Sequence, residues 1–225
     1  MGSILCLFSK PGPSNFQKAK LVHEFKTFYD LNGDGYLTLK DFELARKHMC
    51  QLNGWQMGSE KEKACKEVFD TIWDTLQQVG DRNSDGKVSA DEWISIWTNV
   101  YKKVAEEKNK NKDQDIPTVE DLPLWCYRYL SHRFHLLDRT GDGIIDGDEF
   151  EYVLSHYSVS GPVARKAWIL MTEGDTKKID FREFSTLACE FYFSDDPAAL
   201  GNFITGKLDF IQETEEQAAR TAKKT

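Results

Sequence analysis

Apolar residues recur along this chain at helical spacing, in stretches separated by short acidic or glycine-bearing turns. In "FQKAKLVHEFKTFYD", Phe16, Leu21, Val22, Phe25 and Phe28 fall on one stripe, and in "LKDFELARKHMCQLNG" Phe42, Leu44, Ala45, Met49 and Leu52 do the same before Gly54 supplies a helix stop. A second unit opens at Ser59 with Glu62 three residues on, the spacing of a reciprocal capping box, and carries Val68, Phe69, Ile72, Trp73 and Leu76. Its following helix carries Trp93, Ile96, Trp97, Val100 and Tyr101. A third unit enters through "LPLWCYRYLSHRFHLL" and leaves through "FEYVLSHY"; a fourth enters through "PVARKAWILM" and leaves through "FREFSTLACEFYF". The pattern predicts an all-α protein of four helix-loop-helix units, paired two and two in one compact body. Residues 14–104 form the first pair and 122–210 the second with its C-terminal segment. Between them, 105–121 read as a polar linker, continuing a frayed helix end from Lys102. The N-terminal extension 1–13 and the charged tail 211–225 lie outside the pairs.

The turns between these helices carry the chemistry. "DRTGDGIIDGDE", 138–149, has acidic side chains at its first, fifth, ninth and twelfth places and glycine at its sixth. Unpaired carboxylates that close repel one another unless a cation sits among them. A hard cation such as Ca²⁺ takes six to eight oxygens, which the EF-hand loop supplies from places 1, 3, 5, 7, 9 and 12, with glycine at 6 for the sharp turn. Loop one, 30–41, offers Asp30, Asn32, Asp34, the Tyr36 carbonyl, Thr38 and Asp41. Loop two, 81–92, offers Asp81, Asn83, Asp85, the Lys87 carbonyl, Ser89 and Glu92. Loop three offers Asp138, Thr140, Asp142, the Ile144 carbonyl, Asp146 and Glu149. Asp41 ends loop one where a bidentate Glu is usual, which weakens Ca²⁺ there and favours six-coordinate Mg²⁺. Loop three, with four carboxylates, is expected to bind most tightly, then two, then one. The fourth loop, 172–183, keeps Ile179, Asp180 and Glu183 but has Thr172, Gly174 and Thr176 at places 1, 3 and 5 and Lys177 for the turn glycine. It reads as degenerate and metal-free, retained so that Ile179 can bridge to Ile145 as Leu37 does to Val88.

Composition narrows the function. A net charge of −8 argues against nucleic acid, which needs a basic face. Five scattered cysteines without C-x-x-C spacing suggest neither a disulfide framework nor a zinc site, and point to a reducing, cytoplasmic setting. Four Met against six Trp and fourteen Phe favour a firmly specified interior over a plastic, calmodulin-like groove.

At "FYDLNGDG", "DFELARKHMCQLNGW", "SGPVARKAW" and "FYFSDDPAALGNFITGKL" the chain resembles the invertebrate sarcoplasmic calcium-binding proteins, most closely their calexcitin branch, over roughly residues 15–208. The first two loops start 51 residues apart and the last two 34, a long first lobe that is also similar to this family. The resemblance implies two packed EF-hand pairs, calcium in loops one to three and none in the fourth. It also implies calcium buffering or calcium-triggered signalling, with neuronal roles and guanine-nucleotide binding proposed for calexcitins. The first reading of the chain is a sensor or buffer that meets a protein target when calcium-loaded and carries out no catalysis.

The alternative is an enzyme. "GNFITGKL" nearly spells a phosphate-binding loop, with Gly201, Gly206 and Lys207 as nucleotide-binding residues, but Leu208 replaces the Mg²⁺-holding hydroxyl. Juvenile hormone diol kinases look like relatives on the same scaffold, so a GTP- or ATP-dependent diol kinase is the second reading. "MGSILC" begins like an acylation signal, which would bring membrane contact through a myristoyl group on Gly2 and a palmitoyl group on Cys6, although Cys6 stands where Ser or Thr is preferred. The five histidines read as packing or surface residues.

Overall fold

The computed structural model describes residues 12–108 and 116–210, so Gly2, Cys6 and the tail 211–225 lie outside the described residues. Helix α1 (Asn15–Glu24) begins at a reciprocal cap: the Ser14 hydroxyl accepts the Gln17 N–H while the Gln17 side chain accepts the Ser14 N–H. The apolar stripe predicted there continues, but Phe25–Tyr29 wind as a π turn, with the Asp30 N–H reaching back to the Phe25 carbonyl at 2.9 Å. Helix α2 (Leu39–Leu52) stops as Gly54 requires. At φ 64° Gly54 lets its own N–H reach Gln51 and the Trp55 N–H reach Cys50, which satisfies two terminal carbonyls.

Helix α3 (Glu60–Gly80) corrects one expectation. Ser59 accepts the Glu62 N–H, but the Glu62 carboxylate accepts the Gly58 N–H and pairs with Arg46 on α2 instead of returning to Ser59. A guanidinium is the stronger partner for a buried carboxylate, and it ties α2 to α3. Helix α4 (Ala90–Lys108) runs further than the frayed end expected, and the far side of the linker is anchored: Val119 and Leu122 are buried beside a 3₁₀ turn, Val119–Asp121, capped by Thr118. Helices α5 (Leu124–Leu137), α6 (Gly147–Ser155), α7 (Gly161–Met171) and α8 (Phe181–Phe193) build the second pair.

Two-residue strands join the loops within each pair. Strand β1 (Tyr36–Leu37) pairs antiparallel with β2 (Val88–Ser89), Leu37 opposite Val88; β3 (Ile144–Ile145) pairs with β4 (Ile179–Asp180), Ile145 opposite Ile179. All four of these aliphatic residues are buried. They form the bridges expected from place 8 of each loop.

The two pairs share one apolar core. Trp97 of α4 stacks on Tyr192 of α8 with ring centroids 4.1 Å apart. Helix α1 also meets the segment that follows α8. On α1, Ser14 bonds Asp195, Gln17 donates to the Phe193 carbonyl, and the Lys20 ammonium donates to the Ser194 carbonyl (2.8 Å) and Asn202 Oδ1 (3.0 Å). Burial pushes the Lys20 pKa down to about 7, against the raising influence of Asp195 and Glu190.

Candidate metal centres

Each of loops one to three is a left-handed kink held by its own first carboxylate. Places 4 and 6 take positive φ in all three: Gly33 and Gly35, Ser84 and Gly86, Gly141 and Gly143. The place-1 aspartate accepts two loop amides. Asp30 takes Asp34 (3.0 Å) and Gly35 (3.0 Å), Asp81 takes Asp85 (3.0 Å) and Gly86 (2.9 Å), and Asp138 takes Gly141 (2.9 Å) and Gly143 (3.1 Å). The place-5 aspartates accept from place 7: Asp34 from Tyr36, Asp85 from Lys87, and Asp142 from Ile144, each at 2.9 Å.

The place-12 carboxylate closes each loop onto place 9, where it also caps the following helix. Asp41 accepts the Thr38 N–H (2.9 Å) and hydroxyl (2.6 Å), Glu92 accepts the Ser89 N–H (2.9 Å) and hydroxyl (2.8 Å), and Glu149 accepts the Asp146 N–H (3.2 Å). The second oxygen crosses the loop. Glu92 reaches the Arg82 N–H (3.2 Å) and Glu149 the Thr140 N–H (2.8 Å), whereas Asp41 meets the Asn32 side-chain amide. Burial works against the Glu92 charge, but hydrogen bonds from Ser89 and Arg82 outweigh it and hold the carboxyl below the usual range.

Within each loop the expected carboxylates are hydrogen-bonded to groups of their own loop. Among the described residues no three Asp, Glu, His or Cys side chains converge on one point, because the loop carboxylates are turned onto amides of their own loops. The donor chemistry nonetheless suits a hard divalent cation. It is oxygen throughout, with carboxylates at places 1, 5 and 12 of every loop and a fourth, Asp146, in loop three. Asp30, Asp41, Asp138 and Glu149 are all buried, which magnifies what a cation is worth to them.

The fourth loop is built differently. Its positive φ values fall at Glu173, Gly174 and Asp175, and Lys177 at place 6 is not among them. The Thr172 hydroxyl accepts the Asp175 N–H, and the Asp175 carboxylate accepts the Trp168 indole N–H, so neither place 1 nor place 4 is directed as in the other loops. The Lys177 ammonium lies 2.8 Å from Glu173 and 3.8 Å from Glu183 at place 12. A lysine charge occupies the neighbourhood of the carboxylate that would otherwise face a metal.

The glycine-rich segment near the C-terminus has a packing role in place of a phosphate-binding one. It follows the end of α8 and a loop, and only a 3₁₀ turn, Leu200–Phe203, lies within it. A side chain at Gly201 would come within 2.1 Å of the Leu187 carbonyl, one at Gly206 within 2.7 Å of Leu154, and the Lys207 ammonium lies 5.4 Å above the Phe210 ring. A phosphate loop needs a strand before it and a helix after it, and neither is present here among the described residues. In the groove of about 690 Å³ between α8 and residues 116–120, the Ser185 and Thr186 hydroxyls are spent on α8 carbonyls.

Sequence reasoning missed the junction between the pairs. Glu24, fully buried at the end of α1, accepts from Arg133 and Tyr129 of α5 and from Tyr192 of α8. A Glu and an Arg far apart in sequence carry no local sign of pairing; only Glu24's place beside the apolar stripe hinted at burial.

Helix-loop-helix units in bridged pairs, with these loops, define an EF-hand protein. A family model described as EF hand matches residues 78–97 and 130–154, the stretches that hold loops two and three. Sarcoplasmic calcium-binding proteins I, III and IV of Branchiostoma lanceolatum are 28% identical over 197 residues, covering 87% of this chain and 99% of theirs. Calexcitin-1 of Caenorhabditis elegans is 24% identical, with 83% of this chain and 84% of that one covered. The solved sarcoplasmic calcium-binding protein from amphioxus has the same fold, with a TM-score of 0.69, 26% identity, and 87% and 99% coverage. Over most of its length the chain is similar to sarcoplasmic calcium-binding proteins. The amphioxus proteins and calexcitin-1 both stand among these relatives, as the sequence resemblance implies. These relatives lend the kinase reading no support.

Proposed function

We propose that this protein is a cytoplasmic calcium-binding protein that takes up Ca²⁺ in loops 30–41, 81–92 and 138–149, with Mg²⁺ competing in the first. The reading rests on one observation. Three loops share a place-1 aspartate bonded to the place-6 amide and a place-12 carboxylate bonded to place 9, while the fourth departs from both and carries its own cation. The residues that would hold the ions are Asp30, Asn32, Asp34, Tyr36, Thr38 and Asp41; Asp81, Asn83, Asp85, Lys87, Ser89 and Glu92; and Asp138, Thr140, Asp142, Ile144, Asp146 and Glu149. Tyr36, Lys87 and Ile144 would serve through their backbone carbonyls.

Buffering is favoured over target-switching. The pairs share one apolar core, and the exposed large apolar residues, such as Leu44, Val79 and Leu124, are spread over several helices. Calorimetric Ca²⁺ titration with and without millimolar Mg²⁺, beside apolar-dye binding, tests this. Filling of three sites without new dye binding is the buffer's result. Filling that exposes apolar surface makes the protein a sensor, and absence of saturable Ca²⁺ binding overturns the proposal.

A further inference from the structure

Arg133 Nη1 donates to Glu24 Oε1 at 2.5 Å across 109 residues of sequence, and the Tyr129 and Tyr192 hydroxyls donate to the same oxygen at 2.8 and 2.5 Å. The other carboxylate oxygen meets no donor among the described residues. Burial raises the Glu24 pKa against the opposing pull of Arg133. Such a pair is a poor stabiliser, because desolvation of the two charges offsets their attraction. Its position suggests a different use.

Glu24 is the last residue of α1 and leads directly into the π turn Phe25–Tyr29, which ends at Asp30, place 1 of loop one. Arg133 stands on α5 five residues before Asp138, place 1 of loop three. Its guanidinium also lies 5.2 Å from the centre of the Phe28 ring, inside the π turn. Tyr29, the residue before Asp30, packs against Tyr129 with centroids 5.9 Å apart. A π winding competes with the ordinary α winding of the same residues. The π turn, a winding found mostly as a single turn at functional sites, therefore lies between Arg133 and loop one.

We propose that Glu24 and Arg133 are positioning residues that couple loop one to loop three, an ion in either loop raising the affinity of the other through the π turn and α5. Linkage makes the effect reciprocal. The inference rests on the calcium reading of the loops.

The test uses the full chain, with Asp30→Ala to disable loop one, Asp138→Ala to disable loop three and Glu24→Gln to break the pair. Ca²⁺ titrations are followed by calorimetry and by the amide signals of Gly35 and Gly143, which report the two loops separately. Asp30→Ala is expected to weaken loop three at least about fivefold, Asp138→Ala to weaken loop one by the same factor, and Glu24→Gln to bring both factors to about one. Independent loops in the unsubstituted background, or factors unchanged by Glu24→Gln, overturn the coupling. Should Glu24→Gln lose its helical circular dichroism, Tyr192→Phe, which removes one donor, is judged by the same criterion. If neither glycine responds to calcium in the unsubstituted chain, the calcium reading itself has failed.

Discussion

The Asn32 side-chain amide donates to the Asp41 carboxylate at 2.7 Å, closing loop one with a bond that loops two and three make from a glutamate directly to a backbone N–H. The aspartate stem is one methylene short of crossing the loop, and Asn32 makes up the distance. Asp41→Glu should therefore raise the Ca²⁺-over-Mg²⁺ preference of loop one by about tenfold, roughly 1.4 kcal/mol. Competition calorimetry reads the ratio; an unchanged preference refutes this account of Asp41.

Glu92 and Glu149 each bind place 9 with one oxygen and the far side of the loop with the other. Glu92→Gln and Glu149→Gln keep the shape and remove a charge. Each should weaken its own loop by about a hundredfold or more and reduce the measured stoichiometry by one at micromolar Ca²⁺. Loss of all binding from either single change would contradict separate sites.

Removing the lysine does not make a fourth site. Lys177→Ala deletes two partly exposed ion pairs, so the stability change should stay within about 1 kcal/mol, and Thr172, Gly174 and Thr176 still bring no carboxylate to places 1, 3 and 5. An extra calcium bound by this variant would show that Lys177 alone keeps the loop metal-free.

Burial pushes the His132 pKa down to about 3, helped by His135 and Arg133, while its ring sits edge-on to Phe69 at 4.4 Å. The unfolded chain binds this proton near pH 6.5 and the folded chain does not, so stability is complete above about pH 6.5 and falls as pH drops towards 3. The slope approaches about 1.4 kcal/mol per pH unit for this one group. His132→Phe should flatten the curve between pH 4 and 6 in denaturant titrations with a chelator present. An identical curve would assign the acid lability to other groups.

Gly201 is a packing residue. With the Leu187 carbonyl 2.1 Å and the Phe191 amide nitrogen 2.8 Å from an added Cβ, Gly201→Ala must move backbone and should cost about 1–3 kcal/mol. Thermal unfolding measures it. An unchanged melting temperature would reopen the question of what the glycine is for.

The four units and their loops were legible because their determinants are local. Ligand spacing, a glycine at place 6 and an aliphatic residue at place 8 all lie within twelve residues, and the flanking stripes repeat every three or four. What escaped depends on residues distant in sequence. The π turn at Phe25–Tyr29 is a choice of winding that the apolar stripe does not distinguish from an α-helix. Glu62 left its capping role for Arg46, sixteen residues earlier, and Val119 turned from apparent linker to core through contacts that no spacing encodes. The nearly complete phosphate-loop spelling misled for the converse reason. Gly201, Gly206 and Lys207 match a pattern whose meaning comes from the strand and helix around it.

Calcium concentrations rise and fall, but a covalently tethered ammonium cannot dissociate. With Lys177 3.8 Å from Glu183 and no carboxylate at places 1, 3 and 5, the partner of loop three across the β3–β4 bridge would, on the proposed reading, have no empty and filled states to alternate between. The second pair would then respond to calcium as a single-site device. Any steepness in its titration would have to be imported from the first pair, and with loops one and two both disabled its uptake curve should become a plain hyperbola.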